Sequence, residues 1–181
     1  MNALRVRAVN QKQLCISGID PLMAVCLQEL PQILELRDRV RARLFPSPTT
    51  DDAIANREWQ ESITPELRHL FVSAGEAVAR DLTRLKPTPR NANCSSITFP
   101  AAHRSAWMSA LNQARLILSE LFGVDEIDMN VPYHSLGEAK GVAVIKIDLF
   151  GTLLHRLVQR ELNSRPRNGR KRPKHKRQKR S

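Results

Sequence analysis

Apolar positions recur along this chain at two different periods. Residues 4–9 (Leu-Arg-Val-Arg-Ala-Val) alternate, and after Asn10-Gln11-Lys12-Gln13 the segment Leu14-Cys15-Ile16 resumes the apolar pattern. A period of two, broken by a polar stretch, predicts a short N-terminal β-hairpin. A hairpin this small must lean on helices to be stable. From Asp20-Pro21 the spacing changes. Asp is a good helix cap and Pro is tolerated at the first helical position, and Met23, Cys26, Leu27, Leu30, Ile33, Leu34 and Leu44 follow helical spacing. Pro31 interrupts that run and predicts either a kink or a second helix starting there. Phe45-Pro46-Ser47-Pro48 ends it.

Asp51 or Asp52 opens a shorter helical stretch through Glu61, and Thr64-Pro65-Glu66 repeats the cap-then-proline signal. Leu67, Leu70, Phe71, Ala74, Val78 and Leu82 then form one stripe. Residues 86–98 read as a loop by composition. A further helix is expected from about Pro100, with Trp107, Ala110, Leu111, Ala114, Leu118 and Leu121 on one face and a stop at Gly123. Val142-Ala-Val-Ile-Lys-Ile147 is compatible with one more strand. Asp148 is then a candidate cap for a last helix whose stripe is Phe150, Leu153, Leu154, Leu157 and Val158. The expected fold is mainly α: a compact helical domain over residues 1–164 with a short N-terminal β-hairpin and that extra strand.

Charge sharpens the boundary at 164. The 181 residues carry 29 Lys and Arg against 18 Asp and Glu. Ten of the cations, Arg165, Arg167, Arg170, Lys171, Arg172, Lys174, Lys176, Arg177, Lys179 and Arg180, fall in the last stretch, which has no acid. Residues 165–181 are thus a basic tail on a nearly neutral body. Without apolar residues the tail is expected to be disordered. Its Lys and Arg can neutralise phosphates non-specifically and release counterions. It has no aromatic residue to stack on single-stranded bases.

Several classes are set aside. No apolar run approaches the roughly 18 residues of a membrane span, and the first residues contain no stretch suited to a secretory signal, so a cytoplasmic protein is expected. No GxGxxG or GxxxxGK[ST] string occurs. Cys15, Cys26 and Cys94 are an odd number without CxxC spacing, which argues against a disulfide scaffold or a zinc finger. They are kept as redox candidates, with Cys15 and Cys26 read as buried packing residues and Cys94 as exposed. The histidines at 69, 103, 134, 155 and 175 have no metal-ligand spacing, so neither a metal nor a cofactor is expected. The string Ile145-Lys-Ile-Asp148-Leu-Phe-Gly151-Thr152-Leu153-Leu154 resembles the first motif of haloacid-dehalogenase-type phosphatases, whose Asp attacks phosphorus. Only 33 residues follow Asp148, and 17 of them are tail. The strands that would carry the remaining catalytic residues of that family have no room, and no catalytic residue is assigned.

Two strings carry a broader resemblance. Arg43-Leu-Phe45-Pro46, followed by Asp51-Asp52 and Arg57-Glu58-Trp59, is one. Trp107-Met-Ser-Ala-Leu-Asn112-Gln-Ala-Arg115-Leu-Ile-Leu118 is the other. Together they resemble the AosR-like oxidative-stress transcriptional regulators, a bacterial and mainly actinobacterial family once known only as a domain of unknown function. The resemblance spans about residues 21–124. Gln113 stands where that family prefers Asp, and none of its cysteines maps onto this chain. Physically, Phe45-Pro46 can anchor a helix end in a core. Asn112 and Arg115, three apart on a helix, can reach a facing loop, with Asp51, Asp52 and Glu58 as natural partners. The resemblance implies a non-enzymatic regulator acting in transcription, with a sigma factor or RNA polymerase as the kind of protein partner. The expectation is therefore a transcription-associated, redox-responsive regulatory protein that holds a protein through its body and nucleic acid through its tail. The alternative is an RNA- or ribosome-associated interaction protein. No membrane partner is expected.

Overall fold

The computed structural model describes residues 4–88 and 91–164; the tail cations Arg165 to Arg180, their expected disorder and His175 lie outside the described residues. The hairpin forms as expected, from β1 (Arg5–Asn10) and β2 (Gln13–Ile19). Helix α1 (Pro21–Glu35) starts where Asp20 accepts from the Met23 amide at 2.8 Å. Pro31 neither splits nor ends α1, which runs four residues past it into a 3-10 turn (Leu36–Val40) and the short α2 (Arg41–Leu44). Asp52 caps α3 (Ala53–Glu58), accepting from the Ile54 and Ala55 amides.

A π turn (Trp59–Ile63) carries α3 directly into α4 (Thr64–Leu82). The Thr64-Pro65 signal does not cap a new helix there. Ile63 is already helical, and the 2%-exposed Thr64 donates its hydroxyl to Gln60 Oε1 at 3.3 Å. Leu70 is exposed, so the stripe on α4 is narrower than its spacing implied. After α5 (Arg104–Phe122) the chain turns at Gly123, whose φ of +57° is left-handed, and the Val124 amide closes the end on Ser119 O at 2.9 Å. Such an end favours glycine because no Cβ opposes it.

Two expectations are corrected. Residues 86–98 are not a loop: β3 (Lys86–Thr88) and β4 (Asn91–Pro100) complete a four-stranded antiparallel sheet in the order β1-β2-β4-β3. The backbone groups of β4 are satisfied by β2, some eighty residues earlier, so its local composition gave no hint. Nor is Val142–Ile147 a strand. It lies in the second and third turns of α6 (Glu138–Ser164), buried at Ala143, Val144 and Ile147, and Asp148 sits mid-helix and exposed, capping nothing.

The rows Val6–Ile16–Ile97 and Ala8–Leu14–Phe99 lie on one face of the sheet. Through Leu14, Ile16, Ile97 and Phe99 that face joins the core formed with α1, α5 and α6. Trp107, fully buried, stacks on Phe99 with ring centroids 5.1 Å apart, and Phe150 of α6 closes the same core. Each of these large side chains contributes roughly 2–3 kcal/mol through burial.

Candidate functional site

The two motif strings are brought together at α5. Arg43 at the end of α2, with Asn112 and Arg115 on consecutive turns of α5, lines a cleft of about 330 Å³. Its far wall is the segment after Gly123, with Val124, Asp125, Glu126 and Met129. The acidic partners expected for Asn112 and Arg115 are therefore misassigned. Asp52 is engaged in capping α3, Asp51 and Glu58 are exposed elsewhere, and Asp125 and Glu126 line the cleft instead. Arg115 lies against α6 at Gly151, where a Cβ would stand 3.4 Å from its Nε. That nitrogen is buried and makes no hydrogen bond. The phosphatase-like string is thus explained by packing: Gly151 admits an arginine between two helices, and Asp148 faces solvent.

The remaining motif residues are divided between core and surface. Phe45, 4% exposed, packs its ring against Phe71 at 5.4 Å, while Pro46 and Arg57 are exposed. Gln113, in place of the expected Asp, is buried, donates to Ser109 Oγ at 3.0 Å and leaves its own carbonyl oxygen unpaired. Trp107 donates Nε1 to Asp81 Oδ2 at 3.0 Å, and His103 Nδ1 lies 2.9 Å from the same oxygen. Asp81 is 1% exposed, and sequence reasoning missed it. It ties the end of α4 to the start of α5, and only its position one residue before the α4 stripe ends could have flagged it. His69, His134 and His155 are exposed and far from this pair in sequence.

Residues 125–137, which supply Asp125, Glu126 and Met129 to the cleft, are held by their own bonds. Asp125 and Asp128 each accept from the other's amide at 2.9 Å, and Lys140 pairs with Asp128 at 2.6 Å. The hydrogen bond from Lys140, reinforced by the Asp125 amide, holds the Asp128 carboxyl below the usual carboxylate range. Gly141 fixes the segment to α6, since a Cβ there would meet the Tyr133 carbonyl oxygen at 2.6 Å.

On the other side of Met129 lies a second groove of about 460 Å³, lined by Leu22, Val131, Pro132, Tyr133, Val144, Ile145 and Leu149, with Asp148 at its rim. Leu22 and Tyr133 are more than half exposed, and Ile127 nearby is 73% exposed. An apolar opening of this kind on a folded surface is characteristic of an interaction site.

The thiols are distributed differently from expectation in one respect. Cys15 and Cys26 are buried, but Cys94 on β4 is half-buried rather than exposed. Burial pushes the Cys26 thiol up, although Lys146 opposes the shift. Among the described residues no group of three or more His, Cys, Asp or Glu is placed to hold a metal. Among the same residues no helix is long and apolar enough to cross a membrane.

Comparison with known proteins gives one match. No curated protein and no solved structure matches the chain. A family model matches residues 18–160, taking in the segment after Val124 and nearly all of α6 but leaving out β1 and most of β2. The chain accordingly belongs to the family described as a domain of unknown function, DUF2017.

Proposed function

We propose that this chain is a non-enzymatic regulatory protein associated with transcription, holding a protein partner through its helical body and nucleic acid through its basic tail. The observation that carries the reading is the pair of openings flanking residues 125–137: an apolar groove at Leu22 and Tyr133, and a motif cleft with Asp125 and Glu126 on its wall. A partner segment with apolar anchors and flanking Lys or Arg is complementary to both. The motif strings add the resemblance to AosR-like regulators, which points to a sigma factor or an RNA polymerase subunit. Redox control is the weaker element. Cys15 and Cys26 are buried, and burial pushes the Cys26 thiol up, so neither is presented as a nucleophile, which leaves Cys94 as the thiol that a peroxide experiment addresses.

In-cell cross-linking tests this reading. Recovery of promoter DNA and polymerase or sigma subunits is expected, with the protein cross-links lost in a Leu22→Glu/Tyr133→Ala variant. Recovery of rRNA fragments instead would overturn it in favour of the ribosome-associated alternative.

A further inference from the structure

The near-neutral charge of the body conceals a separation. Residues 5–19 and 86–100, which contain the whole sheet, hold five Lys or Arg and no carboxylate. The rest of residues 1–164 holds 14 Lys or Arg against 18 Asp or Glu. Strand register fixes where the placed sheet cations point. Because Val6, Ile16 and Ile97 face the helices, the intervening positions form the opposite face. There Arg5 pairs with Ser17, Ser17 with Ser96 and Ser96 with Lys86, a continuous row across all four strands. The next row is Arg7, Cys15 and Thr98. Arg5, Arg7 and Lys86 are exposed, with the small polar side chains half-buried between them and Cys15 buried as part of the floor.

We propose that this outer face docks the sugar–phosphate backbone of duplex nucleic acid. The assignment rests on the reading that the chain binds nucleic acid, and adds to the tail a surface of fixed geometry. Arginine at one edge, lysine at the other and hydroxyls between them are the donors that phosphate oxygens take. With strands about 4.8 Å apart, Arg5 and Lys86 stand roughly 14 Å apart across the row, of the order of the ~12 Å major groove of B-DNA. The outward positions of both rows carry no aromatic ring, and Phe99 faces the core. Single strands, which are held largely by stacking, are therefore disfavoured. The absence of any Asp or Glu from all four strands removes the repulsion that the helical remainder would impose.

The test is binding of a mixed-sequence DNA duplex of about 20 base pairs to the full chain by fluorescence anisotropy, between about 50 and 200 mM salt. Three full-length variants are compared with wild type: Arg5→Ala/Arg7→Ala/Lys86→Ala, a charge-matched Arg39→Ala/Arg41→Ala/Arg156→Ala, and one with the ten tail cations changed to Gln. Thermal unfolding checks that each is folded. The sheet variant is expected to lose roughly one unit of salt slope per contact removed, the charge-matched variant none. A slope unchanged in the sheet variant but abolished in the tail variant overturns the sheet assignment and leaves the tail reading intact. Absence of salt-dependent binding by wild type overturns both. Equal affinity of wild type for a single-stranded oligonucleotide of the same length overturns the duplex assignment.

Discussion

Along the outer face of the sheet, Arg5 and Arg7 on one edge and Lys86 on the other flank Ser17 and Ser96. The groove beside α6 opens instead on Leu22, Val131 and Tyr133, with Asp148 at its rim. One surface is polar, cationic and free of carboxylates; the other is apolar, with one acid at its border. The difference follows from how each is made. A strand pairing writes alternate residues onto alternate faces, so a sheet packed on one side can place whatever it needs on the other. The groove is a gap left between α1, α6 and an irregular segment, and it keeps its shape only while that segment stays docked. The sheet face should thus tolerate point changes, and the groove should depend on a few fixed contacts.

The severest way to break the comparison is to remove what the two regions share. Trp107 packs on Phe99 of the sheet and bonds Asp81 at the end of α4. Trp107→Ala is expected to cost about 3–5 kcal/mol through lost burial and to leave Asp81 with one donor fewer. Thermal unfolding should shift down by roughly 6–20 °C, and both surfaces should be lost together. A shift of only a degree or two would mean that sheet and helices are not one cooperative unit.

Gly141→Ala separates the regions. The added Cβ collides with the Tyr133 carbonyl oxygen, and overpacking of this kind costs about 1–3 kcal/mol. Amide exchange should rise across residues 125–137, and the groove should lose its partner while the salt slope for DNA is unchanged. Unaltered exchange in that segment would show that it is not held by the close approach at Gly141.

How far the sequence foretold this comparison can be traced residue by residue. The hairpin, the Asp20 and Asp52 caps and the stop at Gly123 are local signals, and each was legible. β4 was not, because a strand that turns Ser96 and Thr98 outward and begins in a run of Asn and Ser has a loop's composition until its partner is known. Val142–Ile147 misled in the opposite direction. A six-residue apolar run satisfies strand and buried helix equally well, and α6 is buried there at Ala143, Val144 and Ile147. In the cleft, Arg43, Asn112 and Arg115 were found from their strings, but their acidic neighbours were assigned to the wrong loop. Proximity across a helix pair does not follow from spacing. The cationic face was invisible for a simpler reason. Arg5, Arg7 and Lys86 share a face only in the observed register, and summed with the helices their charge nearly cancels.

Acid should weaken the groove before the sheet. The Asp128 carboxyl is held below its ordinary range in the folded protein. Its contribution is therefore complete above the unfolded carboxylate value of about 4 and is lost as pH falls through the lower folded value. Between neutral pH and about pH 3, exchange at residues 125–130 should rise more steeply in wild type than in Asp128→Asn. The sheet strands contain no carboxylate and should not share that dependence. Parallel behaviour of segment and sheet would point to global unfolding rather than release of the Lys140–Asp128 clamp.

The smallest structural effect is the most informative for function. Leu22 and Tyr133 are 54% and 57% exposed, so Leu22→Ala and Tyr133→Ala remove little buried area, and each should change stability by no more than about 0.5 kcal/mol. Their effect on a partner seated in the groove should be much larger. Side chains that are exposed in the free protein and desolvated in a complex are where interface energy concentrates, at about 2 kcal/mol or more for an aromatic anchor. Thermal unfolding with both changes should then overlay wild type while partner affinity falls at least tenfold. The opposite pattern, a large loss of stability with affinity retained, would make these side chains part of the core and end the case for the groove as a docking site.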